Sequence, residues 1–136
     1  MTDEDKIAAT ALAGAKQKSL ELLYDYTKFH IGVYLTLAAS YLTAATANIG
    51  GTKLLMLNPV FVWPTVLFIA LAGLAGGVIV SSLTQWLGES STEFLASEVG
   101  LWDWKSIHFR ARTWTHIEHT SFWLGLACAV LSFVPR

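Results

Sequence analysis

Polar and apolar positions follow three different rhythms along this chain. In residues 1–28 the polar groups recur with a helical period: Lys18, Glu21, Asp25 and Lys28 fall three and four apart, which makes one charged helix face. Leu20, Leu23, Tyr24 and Thr27 lie on a less polar face. Lys18 with Glu21 and Asp25 with Lys28 are placed to pair at i, i+3. From Phe29 to Gly88 the rhythm disappears into near-continuous apolar sequence, and the only formal charge is Lys53. Beyond it, aromatic and basic residues interleave from Trp102 to Trp114, and a final apolar run ends at Val134.

These rhythms predict an all-α membrane protein. Phe29–Ile49 supplies 21 residues, and about 20 cross a hydrocarbon core. Gly50-Gly51 breaks that helix. Asn58-Pro59 is a start signal, with Asn as the cap and Pro in the first turn, and Pro64 offers a kink. A second span is predicted at about 60–81 and a third at about 116–134. Between them, residues 82–115 form an interfacial connector. Ser90 and Glu93 have capping-box spacing and open a short helix that ends before Gly100. The expected architecture is three transmembrane helices preceded by a cytoplasmic amphipathic helix, with residues 1–28 as one segment and 29–136 as the membrane domain.

Composition agrees with an apolar solvent. Charged residues make up 14% of the chain, against roughly 25% in soluble domains. The apolar run at Phe29 does not read as a signal peptide, because 28 residues with five acids precede it and it exceeds the usual h-region. Net charge is −1, which gives no reason to expect nucleic acid. The single cysteine, Cys128, excludes an intramolecular disulfide.

Basic residues predict orientation. Lys6, Lys16, Lys18, Lys28, Lys105, Arg110 and Arg112 fall on one side of the three predicted spans, and Lys53 and Arg136 on the other. The positive-inside rule places the N-terminus and connector in the cytoplasm and the C-terminus outside a bacterial-type inner or plasma membrane. Tyr24, Tyr26 and Phe29 suit the aromatic belt. Trp102, Trp104, Lys105, Arg110, Arg112 and Trp114 are expected to anchor the connector among lipid headgroups.

That orientation gathers candidate chemistry at one depth. His116 and His119 lie about 60° apart around a helix, and His30 enters the membrane from the same side. Together they could bind haem or a metal ion. The plainer reading is interfacial histidines bonded to water, headgroups or carbonyls, and the HExxH spacing of a zinc protease is absent. Glu118 turns toward a small-residue stripe, Ser121, Gly125 and Ala129, and should find Lys28, Arg110, Arg112 or a proton there. Gly73 and Gly77 form GxxxG, and Thr36, Ser40 and Thr43 add a hydroxyl face. These are helix-packing surfaces or, in an oligomer, pore linings.

The sequence shows no phosphate loop, nucleophile elbow or complete metal motif. It therefore points away from an enzyme. The leading expectation is a non-catalytic scaffold or accessory subunit, either homo-oligomeric or bound to other membrane subunits in the bilayer. An oligomeric pore and a haem- or metal-binding redox subunit are the alternatives.

Overall fold

A computed structural model describes residues 2–49, 51–53, 55–86, 89–100 and 107–134. Three long helices carry the fold: α1 Asp3–Thr46, α2 Pro59–Leu83 and α4 Ala111–Leu131, with a short α3 at Ser91–Ala96. Two antiparallel pairs join them: β1 Asn48–Ile49 with β2 Thr52–Lys53, and β3 Glu98–Gly100 with β4 His108–Arg110.

Local signals explain most of the boundaries. Thr2 and Asp5 form a reciprocal capping box at the start of α1. Gly51 adopts φ 84° in the turn between β1 and β2, a left-handed conformation that glycine reaches without strain. Asn58 caps α2 by accepting from the Val60 N–H at 3.2 Å, and Pro59 begins the helix. The Ser90–Glu93 capping box starts α3 as the spacing predicts.

The helices pack through seams that recur in steps of three and four. On α1, Leu20, Thr27, Tyr34 and Tyr41 lie seven residues apart and turn inward. On α2 the seam is Thr65, Ile69, Ala72, Gly76, Ile79 and Leu83. On α4 it is Trp114, Glu118, Ser121 and Gly125, continued by Ser132 at the C-cap. This is the rhythm of helices that cross at a shallow angle. The Asn58 N–H donates to the Ser132 carbonyl at 2.7 Å, so the start of α2 meets the end of α4. At the opposite end Lys16 of α1 reaches Glu89 and Glu93, and the Ser91 N–H donates to Ser19 Oγ. Residues 2–15 of α1 are all exposed and extend beyond this packing.

The expectation of three membrane spans is corrected. Among the described residues, one helical stretch, Pro59–Trp86, is long and apolar enough to cross a bilayer, with a mean hydropathy of 2.3. The amphipathic segment and the first expected span are a single 44-residue helix that continues across Lys28–Phe29. Its second half is diluted by His30, Tyr34, Thr36, Ser40, Tyr41 and Thr43, and α4 is diluted by His116, Glu118, His119 and its hydroxyls. These polar residues, of which Tyr34, Glu118 and His119 make contacts between helices, lower the apolarity of both helices.

The connector is corrected in part. The expected short helix is present as α3 but ends at Ala96, and Glu98–Gly100 pairs with His108–Arg110 in an antiparallel hairpin that the sequence reading did not include. Trp114, expected among headgroups, is buried, and its Nε1 donates to the Val99 carbonyl at 2.9 Å. Arg110 and Arg112 are exposed. Trp102, Trp104 and Lys105 lie outside the described residues. Among those residues the ion pairs are Lys6–Asp3 and Lys16 with Glu89 and Glu93, not Lys18–Glu21 or Asp25–Lys28. Lys28 lies over the Tyr24 ring instead, 5.7 Å from its centroid.

Candidate functional site: a polar layer between the first and last helices

Two apolar clusters fill the bundle. One, around Leu20, Ile79, Leu83, Phe94 and Trp114, lies toward the α3 end. The other, around Tyr34, Ile69 and Ala72, lies farther along. At the junction the seam becomes polar. Glu118 is 1% exposed, and Tyr34 Oη donates to its Oε1 at 3.0 Å. Removing a carboxylate from water is costly, and this hydrogen bond offsets part of that cost.

Gly76 makes room for the carboxylate. A Cβ at this position would lie 3.0 Å from Ile31 Cγ1 and 3.6 Å from Glu118 Cδ. Small size on α2 therefore lets α1 and α4 side chains meet across it. Phe122 closes the far side, with its ring 5.0 Å from that of Tyr34.

Next to this pair, His119 turns toward α1. Its ring centroid lies 6.1 Å from that of His30. His30 Nδ1 is 2.8 Å from the Tyr26 carbonyl, and His119 Nδ1 is 2.8 Å from the Thr115 carbonyl. A carbonyl only accepts, so Nδ1 carries the proton in each neutral ring and Nε2 presents a lone pair. Tyr26 Oη donates to the His119 lone pair at 3.3 Å. The Tyr26 ring centroid lies 4.1 Å from that of His30. A connected layer runs from Tyr26 through the two histidines toward Tyr34, whose ring is 6.0 Å from His30, and on to Glu118.

The structure sorts the candidate residues into three groups. His30 and His119 come together, while His116 is exposed and makes no hydrogen bond or ring contact with them among the described residues. Glu118, Ser121 and Gly125 lie on the buried face of α4, and Ala129 is half-buried beside it. The carboxylate meets Tyr34 rather than Lys28, Arg110 or Arg112. Thr36, Ser40 and Thr43 face outward. Thr36 and Thr43 return their hydroxyls to the carbonyls of Gly32 and Ala39. Gly73 and Gly77 are half-buried, and a Cβ on either would meet nothing within 4 Å. The close approach on α2 is instead at Gly76.

Sequence reasoning left out Tyr26 and Tyr34 from this layer. A signal for them was present. Tyr26, His30 and Tyr34 follow at i, i+4 and i+8, which puts three polar aromatics on one side of α1.

At the second polar point, outside this layer, Lys16 Nζ lies 3.2 Å from Glu93 Oε1. Hydrogen bonds from the Ser90 hydroxyl and N–H, with the Lys16 ammonium, hold the Glu93 carboxyl down at about 2. This contact clasps α3 to α1.

The described chain is thus an antiparallel bundle of long helices with a buried carboxylate layer and a small hairpin cap. Comparisons with protein-family models, curated proteins and solved structures found no match to this chain.

Proposed function

We propose that this protein is a non-catalytic scaffold or accessory subunit of a membrane complex, anchored through α2. The observation that carries this reading is the large apolar surface that the bundle leaves exposed around a seam rich in small and polar residues. Much of the seam is small or polar: Thr27, Thr65, Ala72, Gly76, Ser121 and Gly125 are buried. Large apolar groups are on the outside. Trp63 is 72% exposed, Leu67 and Phe29 66%, Leu35 64%, and Trp123 and Val130 63%. An exterior of this kind suits lipid or the apolar flank of another subunit. Small interior residues allow close helix approach where burial of large side chains is not the driving force.

The outer faces of all three helices supply the docking surface. The pore alternative receives less support: Glu118 is sealed inside the protomer, whereas Thr36, Ser40 and Thr43 face out, so the two sets do not line one surface.

The test combines membrane fractionation with crosslinking. The protein should resist alkaline extraction from membranes. In a Cys128→Ser background, cysteine placed at Leu67 or Trp123 should crosslink to a neighbouring subunit, and cysteine at buried Ala72 should not. Recovery from the aqueous fraction as a monodisperse monomer with no crosslinked species would overturn the proposal.

A further inference from the structure

We propose that His30, His119 and Tyr26 hold a single borderline transition-metal ion, of the Zn²⁺ or Co²⁺ class, between α1 and α4. Three features of the layer point to an ion.

The first is orientation. Each histidine anchors Nδ1–H on a backbone carbonyl one turn earlier in its own helix. Metal-bound histidines are held by the same kind of outer hydrogen bond, which fixes the tautomer and aims the other nitrogen. Here both Nε2 atoms are left to present lone pairs, and they belong to different helices.

The second is spacing. Tyr26 Oη and His119 Nε2 are 3.3 Å apart, long for an O–H···N hydrogen bond. It matches the edge of a tetrahedron built on metal–donor bonds of about 2.0–2.1 Å, which is roughly 3.3–3.4 Å. Imidazole centroids 6.1 Å apart also match two rings bonded to one ion, each centroid about 3.2 Å from a metal at a bond length of about 2.0–2.1 Å. A haem does not fit the same place, because the Tyr26 side chain, 4.1 Å from the His30 ring and bonded to His119, occupies the slot a macrocycle would need.

The third is charge and access. Glu118 immediately precedes His119 on α4 and accepts from Tyr34, whose ring lies 6.0 Å from that of His30. A buried carboxylate behind a cation lowers the cost of both. Tyr26 is 49% exposed and both histidines are half-buried, so an ion can enter from outside. Two imidazoles and a phenol suit borderline ions rather than Ca²⁺ or Mg²⁺. Water completes the fourth position. Among the described residues no group of three His, Cys, Asp or Glu side chains is placed to hold a metal, so the tyrosine oxygen is required as the third protein donor. The proposal does not depend on membrane seating or on a partner.

The experiment titrates tag-free full-length protein in mild detergent with Co²⁺ and with Zn²⁺ alone. Co²⁺ should give the intense visible absorption of a tetrahedral site at one ion per chain, and Zn²⁺ should bleach it. His30→Ala and His119→Ala should each weaken binding by more than about a hundredfold, beyond the loss seen for an outer-sphere partner. Tyr26→Phe should weaken it by about tenfold, while His116→Ala and His108→Ala should leave it unchanged. Ring nitrogen resonances of the unmutated protein supply a readout that no folding defect can confuse: Zn²⁺ should move Nε2 of His30 and His119. No saturable binding, equal binding by the His30→Ala/His119→Ala double variant, or shifts confined to His108 and His116 would each overturn the proposal.

Discussion

Tyr34 and Tyr41 stand one heptad apart on α1 and turn into the same seam. Tyr34 is 1% exposed and its hydroxyl meets Glu118. The Tyr41 hydroxyl is also buried, yet no group among the described residues hydrogen-bonds to it. The same side chain therefore plays opposite energetic parts at two levels of one helix. At the first level a phenol donates to a buried carboxyl group. At the second its polar atom opposes folding, and only its ring contributes to packing. The bundle is specified at one layer and filled at the other.

The sharpest way to break this comparison is Tyr34→Phe. It leaves the Glu118 carboxylate buried without that donor, and should destabilise the fold by about 2–3 kcal/mol. Chemical denaturation in detergent measures the loss. The Tyr34→Phe/Glu118→Leu double variant should recover most of it, since removing both partners removes the unpaired group. A double variant as unstable as the sum of two damaging singles would mean that the layer is not a pair.

Close packing gives the next effect. A Cβ on Gly125 would lie 2.9 Å from Ile69 Cγ1, 3.3 Å from the Ile69 backbone nitrogen and 3.3 Å from Phe68 Cβ. Gly125→Ala should therefore cost about 2 kcal/mol by overpacking. Gly73→Ala, whose Cβ enters open space, should change stability by less than about 1 kcal/mol and in the favourable direction, through helix propensity. If both variants melt alike, the α2–α4 contact has been drawn on the wrong face.

The clasp outside the bundle responds to acid. Glu93 is held at about 2, against an ordinary 4.5, first by Ser90 and then by Lys16. A depressed carboxyl supports the folded state fully above the ordinary range, and the support is lost as pH falls toward the lower value. The Glu93 carboxyl resonance should titrate near 2 in the unmutated protein and move toward 4.5 in Ser90→Ala. An unchanged midpoint in that variant would remove Ser90 as the main cause. The loss of the cap should itself cost about 1 kcal/mol.

Tyr41→Phe is expected to have the smallest effect, and it has the opposite sign from Tyr34→Phe. Deleting an unpaired hydroxyl should be neutral or stabilising by up to about 1 kcal/mol. A loss comparable to that of Tyr34→Phe would show that Tyr41 has a partner after all, and the two levels would no longer differ.

Some of the molecule was legible one residue at a time. Asn58-Pro59 and Ser90–Glu93 announce helix starts because capping uses groups within three residues of each other. The inward face of Glu118, Ser121 and Gly125 could be read from helical period alone. The single helix running through Lys28–Phe29 was harder to see. A change from charged to apolar composition looks like a boundary, but backbone hydrogen bonds are indifferent to it, and no Gly or Pro interrupts the run.

The sequence by itself determined helix content, caps, the lack of charge between Phe29 and Gly88, and which faces of α4 are small. Only the tertiary structure decided that Tyr34 rather than Arg110 or Lys28 meets Glu118, that His30 joins His119 and not His116, and that Gly76 rather than Gly73 or Gly77 is the point of close approach. Those choices depend on the register of α1 against α2 and α4. Register is a property of three surfaces fitted together, and a period of 3.6 residues along one helix does not specify which turn of its neighbour it will meet.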